Sequence, residues 1–221
     1  MSSFQEVAPV LEGFDTTVLL VLNLAGTFVF GLSGGLAGVR ARLDVFGIIA
    51  LAGVVGMAGG ITRDLLIGIP PQTIRDWRYI AIAAAAGLLT FVAHGVLTRL
   101  ERPILVLDAA GLALFCVTGA STAIVHKIGG VEAVVLGAVT GVGGGVLRDV
   151  LVREIPVVLR AGLYAVPALV GATIVVIASE NGSKDLAFTI LGAAVCFAIR
   201  LAGMYFDINM PRPRSHPRGS A

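Results

Sequence analysis

Seven apolar runs divide the chain, at 17–39, 45–67, 77–98, 103–124, 130–152, 161–179 and 185–206. Each holds about 20 residues, enough for a helix to cross roughly 30 Å of hydrocarbon. Only helices and closed barrels satisfy their own backbone in that medium. The pattern predicts an all-α membrane protein with seven transmembrane helices. Short connections carry most of the charge. Residues 1–206 are expected to form a single transmembrane domain. Residues 207–221 contain PRPRSHPRGS and read as a disordered cytoplasmic tail.

Composition sharpens this. Hydrophobic residues make up 57% of the chain and charged residues 14%. A soluble domain would carry about 25% charged residues, so too little charge is present to cover a water-facing surface. The formal net charge of +2 comes with no basic patch interleaved with aromatics, which sets nucleic acid aside. Cys116 and Cys196 lie in apolar runs and read as small core residues without an implied disulfide. The first 16 residues hold Glu6, Glu12 and Asp15 and no basic residue, so the first apolar segment is expected to be retained.

The basic residues set an orientation. Arg40, Arg42, Arg99, Arg102, Arg153, Arg160, Arg212, Arg214 and Arg218 fall on one side, against Arg75, Arg78, Lys127 and Lys184 on the other. The richer side should be cytoplasmic. The expectation is a multi-pass protein of the cell inner membrane, with its N-terminus outside and its C-terminus inside.

The seven segments are not independent. GMAGGITRDL, starting at Gly56, and GVGGGVLRDV, starting at Gly141, share one layout at an offset of 85 residues. At that offset Gly26 meets Gly111, Phe30 meets Phe115, and Gly34 meets Gly119. Arg63–Asp64 meets Arg148–Asp149, Pro71 meets Pro156, Arg75 meets Arg160, and Tyr79 meets Tyr164. Matches of Arg, Asp, Pro and Tyr in one register are informative in so apolar a chain. The chain therefore reads as two three-helix repeats, at about 17–98 and 103–179, followed by a seventh helix at 185–206. Three is odd, so the halves must be inverted about a pseudo-two-fold axis in the membrane plane.

Gly56, Gly59 and Gly60 match Gly141, Gly144 and Gly145, with Gly143 beside them. Such clusters weaken a helix, and the expectation is a break or kink in segments two and five. A break frees carbonyls that attract cations. A second half-helix starting near Ile61 or Val146 would carry Asp64 or Asp149 in its first turn. The same spacings also let helices pack closely. The Arg–Asp pairs read either as gates at opposite faces or as snorkelling end anchors. Asn23 and Asp108 match at the same offset; they are candidates for an ion pathway, and an aspartate there reads equally as lining a water path or as a cap or charge partner near the inner interface. Trp77 and Tyr79 are expected in the interfacial belt.

GMAGGITRDLLIGIPP and GVGGGVLRDVLVREIP, one per half, resemble the prokaryotic trimeric intracellular cation (TRIC) channels. The resemblance covers roughly Asn23 to Phe206 and implies a homotrimer embedded in lipid, each protomer with its own pore between kinked helices two and five. It implies permeant potassium or sodium ions, no resident cofactor and no metal beyond a transient monovalent cation near the kinks. Gly56, Gly59, Gly60, Gly141, Gly143, Gly144 and Gly145 would then lie at the kinks, and Arg63, Asp64, Arg148 and Asp149 near the pore mouths. Trimer contacts are expected through the Gly-rich faces of segments one and four. The Lys-Glu-Val tripeptide of animal members is missing, so their lipid regulation does not carry over. The same bacterial domain is also labelled a glycine transporter, and an inverted repeat suits a secondary transporter of a small amino acid equally well. The chain has no H-E-x-x-H or G-x-S-x-G set that would suggest an enzyme.

Overall fold

The computed structural model describes residues 16–97, 103–160, 163–183, 185–206 and 208. The acidic leading segment and the expected tail, Ile208 apart, lie outside them. Among the described residues there are nine helices: α1 (Thr16–Arg40), α2 (Val45–Ile67), α3 (Gln72–Arg75), α4 (Trp77–Leu97), α5 (Pro103–Val125), α6 (Gly130–Leu151), α7 (Val157–Arg160), α8 (Ala165–Glu180) and α9 (Leu186–Tyr205). Six are long and apolar enough to cross a membrane, and α8 is a shorter apolar helix.

Local chemistry sets the ends. Asp44 caps α2 by accepting from the Gly47 N–H at 2.7 Å. Pro103 begins α5, where its missing N–H costs nothing. Gly68 closes α2 in the left-handed conformation at φ 83°. Its repeat partner Arg153 follows α6 with φ 61°, so the second copy keeps the turn without the glycine.

The segment expected at 161–179 begins later, at Ala165, with α7 before it. Both one-turn helices, α3 and α7, escaped the hydropathy pattern because four residues are too few to show a period. Their equivalence follows the 85-residue offset.

Within each half the three long helices pack on one another, α1 with α2 and α4, and α5 with α6 and α8. The halves join through α1 with α5 and α2 with α6. These joints are reciprocal. A Cβ on Gly26 would lie 2.6 Å from the Phe115 ring, and one on Gly111 would lie 2.7 Å from the Phe30 ring. The two rings meet each other at 5.4 Å between centroids. On the second joint Gly59 faces the Thr140 carbonyl, and Gly144 faces the Val55 carbonyl at 2.8 Å. A contact from i to j repeated from the equivalents of i and j is what a two-fold relation requires. α9 stands outside this symmetry and packs against α5 and α8.

Two expectations change here. First, α2 and α6 each run unbroken through their glycines, so no half-helix ends there with free carbonyls. The glycines are used for close approach: in low dielectric an unsatisfied carbonyl is costly, and an intact helix avoids it. Second, the Gly-rich faces of the first and fourth long helices are spent inside the protomer. Gly31 and Gly35 of α1 seat Ala86 and Thr90 of α4, and Gly119 and Gly111 of α5 seat Thr140 and Phe30. Those faces are not free to hold a trimer together.

The close contacts give a prediction. Gly59→Ala and Gly144→Ala each drive a methyl into a neighbouring carbonyl, at a cost of about 1–3 kcal/mol. Gly53→Ala, whose Cβ would meet only Met57 at 3.9 Å, should cost nothing. Thermal unfolding in detergent should separate the first two variants from the third; identical melting of all three would show that the seam is not close-packed.

Candidate functional site

Each half ends its second long helix with a buried ion pair built on one plan. Arg63 and Asp64 lie in α2, four and three residues before its end. Adjacent helical residues point apart, but the arginine stem is long enough to fold back. Arg63 Nε and Nη2 both reach Asp64 Oδ1 at 2.8 Å. Arg63 Nη1 donates to Asn23 Oδ1 of α1 at 2.9 Å. Asp64 Oδ2, left over, accepts from the Gln72 backbone N–H at 2.8 Å and so holds the start of α3.

The second half repeats this. Arg148 Nε donates to Asp149 Oδ1 at 2.9 Å and Nη2 lies 2.8 Å from the same oxygen. Asp149 Oδ2 accepts from the Val157 N–H at 2.8 Å, at the start of α7. Arg148 Nη1 donates to Asp108 Oδ1 of α5 at 2.8 Å, where the first half has Asn23, and also to Ser33 Oγ of α1 at 2.7 Å. The second cluster thus ties both halves together and carries one more carboxylate.

Arg63 is 1% exposed and Arg148 2%. Neither is a snorkelling anchor: both heads are turned inward onto carboxylates. The expected placing of Asp64 and Asp149 in the first turn of a half-helix also gives way. They sit in the last turns of unbroken helices and cap the short helices that follow.

The seven expected glycines divide into roles. Gly59, Gly143 and Gly144 lie on the α2–α6 seam, where a Cβ on Gly143 would come 3.3 Å from Gly59 Cα. Gly56 and Gly141 instead seat the Thr27 and Leu112 carbonyls of α1 and α5, at 2.7 and 2.9 Å. Gly60 and Gly145 face the clusters, against Thr73 and against Tyr164 and Asp108 respectively. Thr140 and Thr122 bond carbonyls one turn back, at 2.6 and 2.7 Å.

Tyr79 was expected at the interface with Trp77. Trp77 is exposed, but Tyr79 is 2% exposed, as buried as its partner Tyr164. Its repeat match was the better guide, because a tyrosine duplicated beside a duplicated ion pair belongs with that pair. Three residues at the second cluster were not foreseen: Ser33, the packing of Tyr164, and Arg200 of α9. Arg200 is buried, its guanidinium lies 4.5 Å over the Tyr164 ring, and its Nη1 donates to the Leu163 carbonyl at 2.9 Å. An arginine inside the run LGAAVCFAIRLAGMYF was signal enough, since an intramembrane charge needs a partner.

This geometry meets the comparisons with known proteins. The family described as "Glycine transporter" matches residues 20–95 and again 105–180, the same 85-residue step. The UPF0126 membrane protein SCO4104 of Streptomyces coelicolor is 50% identical over 204 residues, covering 91% of this chain and 94% of that protein. The UPF0126 inner membrane protein YadS of Escherichia coli K12 is 36% identical, covering 86% and 93%. Among solved structures, the TRIC channel orthologue from Rhodobacter sphaeroides superposes with a TM-score of 0.81 at 36% identity, over 87% of this chain and all of that one. A prokaryotic TRIC channel in 0.5 M KCl gives a TM-score of 0.81 at 31% identity, over 88% and 99%.

The chain belongs to the TRIC family. Like those relatives, this TRIC-family chain is a multi-pass membrane protein, and its solved neighbours are cation channels.

The two clusters predict unequal tolerance. Asp64→Asn leaves Arg63 with no carboxylate, since Asn23 is neutral. Asp149→Asn leaves Arg148 with Asp108. Asp64→Asn should therefore cost about 3–5 kcal/mol, the scale for breaking a buried pair, and Asp149→Asn clearly less. Adding Asn23→Asp to Asp64→Asn gives Arg63 a carboxylate on α1, the arrangement Asp149→Asn leaves at the second cluster, and should recover much of the loss. Melting temperatures of the three variants in detergent test this, and a double variant no better than Asp64→Asn would refute it.

Proposed function

We propose that this chain is a monovalent cation channel, potassium-permeable, assembled as a homotrimer in the inner membrane with an outside N-terminus and a cytoplasmic C-terminus. Each protomer carries its own path along the seam between α2 and α6. The observation that carries this reading is the superposition on solved TRIC cation channels over nearly the whole chain at 31–36% identity. The seam itself supports it. Small residues keep side chains out of the contact, so parting the helices opens a lane lined by backbone rather than by bulky groups. The Arg63 and Arg148 clusters stand toward opposite ends of the seam, as the inverted halves demand. A Cβ on Gly143 would come 3.3 Å from Gly59 Cα, so conduction along this seam requires the two helices to separate or bend at these glycines.

A secondary transporter of a small amino acid such as glycine is the second reading. It is favoured by the family description and by the two inverted halves.

Planar-bilayer recording of the purified protein under a potassium gradient separates the two. The channel reading expects discrete steps reversing near the potassium equilibrium potential. Arg63→Ala and Arg148→Ala should each change conductance or open probability, most clearly in the second cluster, where the arginine bridges both halves. A silent bilayer together with saturable glycine uptake into liposomes would replace the channel with the transporter.

A further inference from the structure

The two clusters balance their charge differently. In the first, Arg63 and Asp64 cancel and Asn23 adds nothing. In the second, Arg148 and Asp149 cancel in the same way, and Asp108 adds a buried carboxylate that the duplicated plan leaves uncompensated. A further buried cation, Arg200, stands at this cluster on α9, outside the repeat; it lies against Tyr164, whose hydroxyl is beside Asp108, and not in direct contact with that carboxylate.

Arg200 is held sparsely for a buried guanidinium. Arg148 spends Nε, Nη1 and Nη2 on Asp149, Asp108 and Ser33. Arg200 donates one hydrogen bond, from Nη1 to the Leu163 carbonyl at 2.9 Å, and rests on the Tyr164 ring at 4.5 Å. Its Nε is buried without a hydrogen-bond partner among the described residues. Two more buried atoms nearby share that condition, Asp108 Oδ2 and the Tyr164 hydroxyl. The hydroxyl and Asp108 Oδ1 converge on one spot beside Gly145 of α6.

The guanidinium itself touches a backbone carbonyl and an aromatic face, and at the far end of that ring the phenol oxygen stands beside the Asp108 carboxylate. Each is a ligand for a cation. One free carboxylate oxygen and one surplus negative charge, with Arg148 adjacent, suit a single positive charge. A divalent ion would leave a net positive charge in low dielectric.

We propose that Asp108, Tyr164 and the Leu163 carbonyl form a buried monovalent-cation site of which Arg200 is the tethered occupant. A free monovalent cation, potassium or a planar guanidinium-type ion, takes the site when the Arg200 side chain is withdrawn or removed. This goes beyond the conduction reading, and it is tested by binding rather than flux, so failure of one leaves the other standing.

The full chain with Arg200→Ala is purified in detergent, and its thermal unfolding is followed in N-methylglucamine chloride, potassium chloride and low-millimolar methylguanidinium. In N-methylglucamine this variant should melt below the unsubstituted protein. Methylguanidinium, and to a smaller degree potassium, should raise its melting temperature by several degrees while shifting the unsubstituted protein little. Asp108→Asn/Arg200→Ala, with neither charge, should melt near the unsubstituted protein and respond to neither cation. An Arg200→Ala protein indifferent to both cations, or a double variant that responds as strongly as the single one, overturns the site. Should Arg200→Ala fail to fold, Asp108→Asn serves instead. It strands Arg200, so it should melt below Asp108→Asn/Arg200→Met, and the reverse order overturns the proposal equally.

Discussion

A carboxylate buried in a bundle that faces hydrocarbon has to be neutralised where it stands. Asp64 and Asp149 are neutralised by the arginine one residue before each. That local pairing frees the second carboxylate oxygen for a backbone N–H, which fixes the start of α3 or α7. The third nitrogen of each guanidinium is then available to reach another helix. One dipeptide thus ends a long helix, positions the turn after it, and ties it to α1 or α5. An isolated charge in this medium costs several kcal/mol, so these ties hold together or fail together.

The seam between the halves rests on the opposite chemistry. Its contacts involve a missing side chain on one helix and a carbonyl on the other, with Phe30 and Phe115 closing the neighbouring joint. In lipid no hydrophobic force drives helices together, so close backbone approach and its dispersion gain must do so. A seam made this way has a short-range attraction and few specific bonds.

Much of this was legible in the sequence. The 85-residue offset gave the duplication, the inversion and the pairing of Arg63–Asp64 with Arg148–Asp149, because polar identities rarely coincide in an apolar chain. The segments were placed within a few residues, except where α7 and the late start of α8 divide the sixth. The meaning of the glycines was not legible. A cluster of small residues reads the same whether a helix breaks or another helix presses against it, and only the partner carbonyls of Thr140 and Val55 decide between them. Tyr79 was misplaced because belt position and cluster membership share one signature, a tyrosine near a helix end. Arg200 was missed because it lies outside the repeat, where no second copy draws attention to it.

The two ends of the seam are not equivalent, although duplication made them from one template. At the Arg63 end, α1 is tied by a hydrogen bond to the neutral Asn23. At the Arg148 end, the ties run to the charged Asp108 and to Ser33. Both bonds have a charged donor, but the tie to Asp108 adds an attraction between opposite charges that the low dielectric strengthens. If the proposed path runs along α2 and α6, the Asn23 end is the weaker of the two ties and the Asp108 end the stronger. A protein that alternated access between two faces would favour closures of similar strength, since each must open in turn. On the proposed channel reading, unequal ties suit a path with one controlling end, and Asn23 against Asp108 is one place where the chain departs from its own symmetry.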